Sequence, residues 1–166
     1  DKKTVLYSAI ASLAFTTDLS LWHFSMSITS VSNATIIVNS APIFVALLAY
    51  LVFKEKPQKG FVSSFFITYI GILGLIIFSN NYANGKILGD ILCMVAAVCY
   101  ATYLLIISKL GKDTSLNIIF YTTFFCCLFS IIPMSFESGL YFPQTNFEWI
   151  NLLLLAFLCQ FGGQFL

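Results

Sequence analysis

The chain has 166 residues, of which 59% are hydrophobic and 9% charged, and its net charge is +1. Soluble domains average about 25% charged residues, so a water-soluble globular domain is excluded and the expected fold class is all-α, a polytopic transmembrane helix bundle. Without a concentrated basic patch, nucleic acid is excluded as a partner. The partner that this composition implies is the lipid bilayer.

A hydrocarbon core about 30 Å thick takes roughly 20 mostly apolar residues per helix. That ruler places spans near 4–28, 32–53, 60–79, 88–108, 116–135 and 149–166, separated by polar breaks at Thr29-Ser30, Lys54 to Lys59, Asn80 to Gly89, Gly111 to Ser115 and Phe136 to Glu148. Six alternating spans put Lys2, Lys3, Lys54, Lys56, Lys59, Lys109 and Lys112 on one side and Lys86 on the other. Basic loops are retained in the cytoplasm, so the lysine-rich loops are expected inside a cell membrane, the inner membrane of a bacterium.

The first span carries Ser8, Ala11, Phe15, Asp18, Trp22 and Ser25 at helical spacing, a face suited to protein or water instead of lipid. An acid inside a span costs about 2.5–3.5 kcal/mol on insertion scales, which makes Asp18 the leading site candidate. Two readings stand for it: a protonatable or cation-binding group in a cavity, or a static hydrogen-bond partner for a neighbouring helix. Trp22 is either a cavity wall or part of an aromatic belt, and His23 either a proton relay or an interfacial residue. In the second span Asn39 lies at a depth similar to that of Asp18, where the two could meet. Pro42 frees the carbonyl of Val38, so a kink or lined cavity is expected there.

In the third span Gly60, Ser64, Thr68, Gly71 and Gly74 form a small-residue seam for helix packing. Asp90 reads as an N-terminal cap of the fourth span, and Tyr100 as a midspan hydroxyl in need of a partner. The fifth span, rich in phenylalanine, is expected to be peripheral and lipid-facing. Gln160 is the polar candidate of the sixth, and Leu155-Ala156-Phe157 echoes Leu13-Ala14-Phe15, aligning Gln160 with Asp18. The cysteines sit inside apolar runs, so they read as packing residues, and no spacing suggests a metal or other cofactor.

Trp22-His23, Thr29-Ser30-Val31, Asn33-Ala34, Ala41-Pro42-Ile43-Phe44 and Glu55 together resemble the third-to-fourth-helix signature of the drug/metabolite transporter superfamily, EamA-like family. Gly89-Asp90, Tyr100-Ala101 and Ser108-Lys109 resemble the opening of its second repeat. Lys54 and Ser64 depart from the pattern, standing where glycine is usual. The resemblance implies ten helices in two inverted five-helix repeats, of which this chain would be a fragment with the third to eighth: 1–79 the last three helices of the first repeat, 80–166 the first three of a truncated second. It also implies a secondary transporter of small organic metabolites, exporting or importing by alternating access, with a small-molecule substrate and a second copy in a homodimer as partners. The alternatives are an intramembrane aspartyl protease built on Asp18 and Asp90, or a structural membrane protein that moves nothing. Thr17 before Asp18, and Ile87 where the first glycine of a Gly-x-Gly-Asp motif belongs, speak against the protease.

Overall fold

The computed structural model describes residues 2–57, 60–63, 65–67, 69–70, 87–110, 115–136 and 143–158. Among them there is no strand. The helices are α1 (Lys2–Met26), α2 (Val31–Asn39), α3 (Ala41–Phe53), α4 (Ile87–Lys109), α5 (Ser115–Phe136) and α6 (Asn146–Leu155). Residues 61–63, 65–67 and 69–70 are helical too, inside the expected third span. Among the described residues, four stretches are long and apolar enough to cross a membrane: Lys2–Met26, Val31–Phe53, Ile87–Lys109 and Leu116–Ser135. The all-α transmembrane expectation is met, and the chain is a multi-pass membrane protein.

The second span is two helices in series. Ser40 interrupts it with φ −78° and ψ −3°; its N–H donates to the Ile37 carbonyl at 3.1 Å, and Ile43 N–H returns to the Ser40 carbonyl at 2.9 Å. Pro42 is then the second residue of α3, a position that needs no backbone donor, so the proline starts a helix where the sequence suggested a kink within one. Ser30 begins α2 by accepting the Asn33 N–H at 3.1 Å.

The chain forms two compact units, Asp1–Phe129 and Ser130–Leu166. In the first, α4 is the hub, packing most extensively on α1 and also on α2 and α3. Its partners on α1 fix the direction: Thr29 just beyond α1 meets Asp90, Ser25 meets Cys93 and Phe15 meets Tyr103, so the two helices run antiparallel. The contact is made of small side chains. Ser8, Ala11, Ser12 and Ser25 on α1 and Cys93, Ala96, Ala97 and Ala101 on α4 are buried, while Leu13, Phe24, Met94 and Val95 are exposed. Such inversion is what lipid permits, because tails solvate leucine as well as protein does and association depends on close backbone approach.

Gly89 marks the tightest point. A Cβ built there would stand 2.7 Å from the Thr29 Cβ and 3.0 Å from the Thr29 backbone nitrogen. Helix α5 joins α1 through Ser12, whose hydroxyl donates to the Thr122 carbonyl at 2.9 Å. Its Phe120 and Phe124 are exposed, as expected of a peripheral helix, while Ile118 and Thr122 are buried.

In the second unit, α6 opens with a reciprocal cap. The Thr145 hydroxyl accepts the Glu148 N–H at 3.3 Å, and the Glu148 carboxylate accepts the Gln144 N–H at 2.8 Å. The sequence Thr145-x-x-Glu148 carries this signal, and it starts the helix at Asn146, three residues before the expected span.

Candidate functional site

The helical stripe expected on α1 is the face turned toward α4. Ser8, Ala11, Asp18 and Ser25 are buried, and Phe15 and Trp22 are half-buried. Asp18 is 4% exposed. Among the described residues its Oδ1 has no hydrogen-bond partner, and neither has the buried Nε1 of Trp22 one turn further on. Cys99 of α4 lies within electrostatic range of the Asp18 carboxylate.

Next to Asp18 on the same face is an aromatic cluster. Phe15 lies 4.8 Å from Tyr103 between ring centroids and 6.3 Å from Tyr100, and the two tyrosines stack at 6.1 Å. Tyr100 thus meets α1 at Phe15, one turn from Asp18. Tyr103 belongs to the same cluster, and sequence reasoning missed it; its spacing of three from Tyr100 was the available signal.

The other candidates lie elsewhere. Asn39 is exposed, and its side-chain nitrogen donates to the Thr35 carbonyl of its own helix at 2.8 Å. No hydrogen bond joins it to Asp18 among the described residues. Pro42 is also exposed, at the start of α3. His23 is exposed, its ring 5.4 Å from that of Trp22. Gly60 has φ +96°, a backbone conformation that favours glycine, and among the described residues nothing lies within 4 Å of a built Cβ. Ser64, Gly71, Gly74 and Gln160 lie outside the described residues.

Each end of the α1–α4 pair has its own polar tie. At one, the Thr29 hydroxyl donates to Asp90 Oδ1 at 2.6 Å, and the Cys93 thiol donates to the Ser25 hydroxyl at 2.8 Å. Asp90 stays in the first turn of α4, where the helix dipole favours an acid, but its side chain reaches across to the α1–α2 turn. Asp18 and Thr29 are eleven residues apart, about 16 Å along a helix axis, so Asp18 and Asp90 cannot share a proton as a protease dyad would. At the opposite end, Lys109 pairs with Glu55, and its ammonium stands 4.4 Å from the centroid of the Phe53 ring. Both side chains of the pair remain solvent-exposed.

An antiparallel helix pair with a buried acid facing its neighbour, in a chain of several membrane spans, is an arrangement found in membrane transport proteins. Residues 2–77 match the model of the EamA-like transporter family. That stretch contains the Thr29 to Glu55 signature, so the family its residues resemble is also the one whose model they match. The chain is 27% identical over 161 residues to an uncharacterized transporter of Archaeoglobus fulgidus, covering 93% of this chain and 55% of that protein. It is also 27% identical over 142 residues to the uncharacterized transporter YyaM of Bacillus subtilis, covering 82% of this chain and 46% of that protein. The chain spans about half the length of these curated relatives. No solved structure matches it.

Proposed function

We propose that the whole protein is a secondary transporter of small organic metabolites, working by alternating access with Asp18 at its central site. The observation that carries this is the Asp18 carboxylate, buried in a span with an oxygen that no described residue satisfies. Burying an unpaired polar group is costly, and inside a membrane such groups line substrate or ion pathways. The relatives named as transporters support the same reading.

The repeat organisation expected from the resemblance gives Asp18 a position as well as a chemistry. If residues 1–79 and 80–166 belong to successive repeats, the α1–α4 contact is a contact between repeats, which is where inverted-repeat transporters hold their substrates. Rocking of one repeat against the other would then open the Asp18 face first to one side of the membrane and then to the other. The Glu55–Lys109 pair would close one end and the Thr29–Asp90 tie the other.

Reconstitution of the full-length protein in proteoliposomes tests this. Counterflow of at least one small organic solute is expected across a screened panel. Complete absence of flux would remove the transporter reading, and peptide cleavage without flux would favour an intramembrane enzyme.

A further inference from the structure

The face carrying Asp18 and Trp22 offers two hydrogen-bonding groups of opposite sense. A carboxylate oxygen only accepts and an indole N–H only donates, and neither Asp18 Oδ1 nor Trp22 Nε1 has a partner among the described residues. Four residues apart on a helix, the two side chains leave one face with their Cβ atoms about 6 Å apart. Side chains one turn apart on one face can be bridged by one small molecule that carries both a donor and an acceptor.

The surroundings narrow the donor to a cation. The ion pair found among the described residues joins Lys109 to Glu55, and none is recorded for Asp18. A carboxylate ionised in a poorly hydrated site calls for a positive charge as well as a proton donor. Phe15, one turn before Asp18 on the same helix, clusters with Tyr100 and Tyr103, and aromatic rings attract ammonium groups. Opposite Trp22 in the antiparallel pairing, α4 presents the buried alanines Ala96 and Ala97 in place of bulky side chains.

We propose that Asp18 and Trp22 form a binding site for a primary amine with an oxygen on the adjacent carbon, the ammonium on Asp18 and the oxygen accepting from Trp22 Nε1. This deepens the transporter reading and rests on it for the route by which the amine arrives. The acid alone would take any cation; the indole one turn away selects a cation with an oxygen acceptor beside it.

The test compares the full-length protein in detergent with its Trp22→Phe form, so that the difference in emission reports Trp22. Three probes are compared: leucinol, N-acetyl-leucinol, which lacks the ammonium, and isopentylamine, which lacks the oxygen. Leucinol is expected to change Trp22 emission saturably. Loss of a charge-assisted hydrogen bond should weaken N-acetyl-leucinol, and leucinol on Asp18→Asn, by about tenfold or more, while Asp18→Glu retains binding. By calorimetry, Trp22→Phe should lose the preference for leucinol over isopentylamine. Should Asp18→Asn fail to fold, leucinol and not N-acetyl-leucinol should protect Asp18 of the unsubstituted protein from an apolar carbodiimide. Equal binding of the acetylated probe, undiminished binding by Asp18→Asn, absence of protection, or no response to leucinol overturns the proposal. In liposomes, flux of other solutes without leucinol binding leaves the transporter reading standing; no flux of any solute removes that reading itself.

Discussion

Lys54 is a side chain placed where backbone geometry favours none. It ends α3 with φ 59° and ψ 20°, in the left-handed region, its N–H bonded to the Tyr50 carbonyl at 3.0 Å and that of Glu55 to the Ala49 carbonyl at 3.3 Å. A non-glycine residue there costs roughly 1–2 kcal/mol. The departure from the family pattern noted at this position therefore has a measurable consequence. Lys54→Gly should stabilise the protein by up to about 1 kcal/mol, since glycine relieves the strain but loses more entropy on folding. Thermal unfolding in detergent reads this, and an unchanged or lower midpoint would contradict it. Asn39 teaches the complementary lesson about reading single residues. Its polarity suggested a cavity, but a helical carboxamide can satisfy itself on the carbonyl one turn back, as Asn39 does on Thr35. Asp18 has no donor to offer when ionised, so it cannot do the same, and its polarity carried more information.

At the scale of elements, the face of α1 was legible because serines, alanines and an acid recur at helical spacing among larger apolar residues. The matching face of α4 was not. Cys93, Ala96, Ala97 and Ala101 are apolar in a chain of apolar residues, and only contact with α1 distinguishes them from the lipid-facing Met94 and Val95. Gly89 tests whether that contact is as close as it stands. On helix propensity alone, Gly89→Ala should stabilise α4 by up to about 1 kcal/mol. Against Thr29, whose backbone as well as Cβ lies within 3.0 Å of the new atom, the substitution should instead destabilise by about 1–3 kcal/mol. The sign of the shift in unfolding midpoint decides between them. The start of α6 gives a prediction in pH. Glu148 is held below the ordinary glutamate value by the Gln144 N–H and then by Thr145. Its contribution to the first turn is thus fully present above the unfolded value near 4.5 and lost as pH falls through the lower folded value. Protection factors of the first-turn amides of α6 should fall on acidification in the unsubstituted protein and stay flat in Glu148→Gln; parallel curves would refute the cap.

At the scale of the whole molecule, the helix directions can be compared with the lysine pattern. Helix α1 runs antiparallel to α4, which brings Lys2 and Lys3 to the end of α4 that carries Lys109. The Lys109–Glu55 pair brings the loop with Lys54 and Lys56 to that same end. Span counting assigned these five lysines to one face without knowledge of any contact, and the contacts group them independently. Lys59, Lys86 and Lys112 lie outside the described residues, so their assignment rests on span counting alone. Which side of the membrane holds the lysine-rich end follows only from the retention of basic loops in the cytoplasm. In a background stripped of native cysteines, a cysteine replacing Lys56 should be shielded from an impermeant thiol reagent applied to intact cells and react after permeabilisation. One replacing Lys86 should react from outside. The reverse pattern would invert the molecule while preserving every helix contact, and would move the Glu55–Lys109 closure to the outer face. Labelling of both positions from one side would break the alternation of spans between residues 56 and 86, and with it the assignment of α1 and α4 to successive repeats.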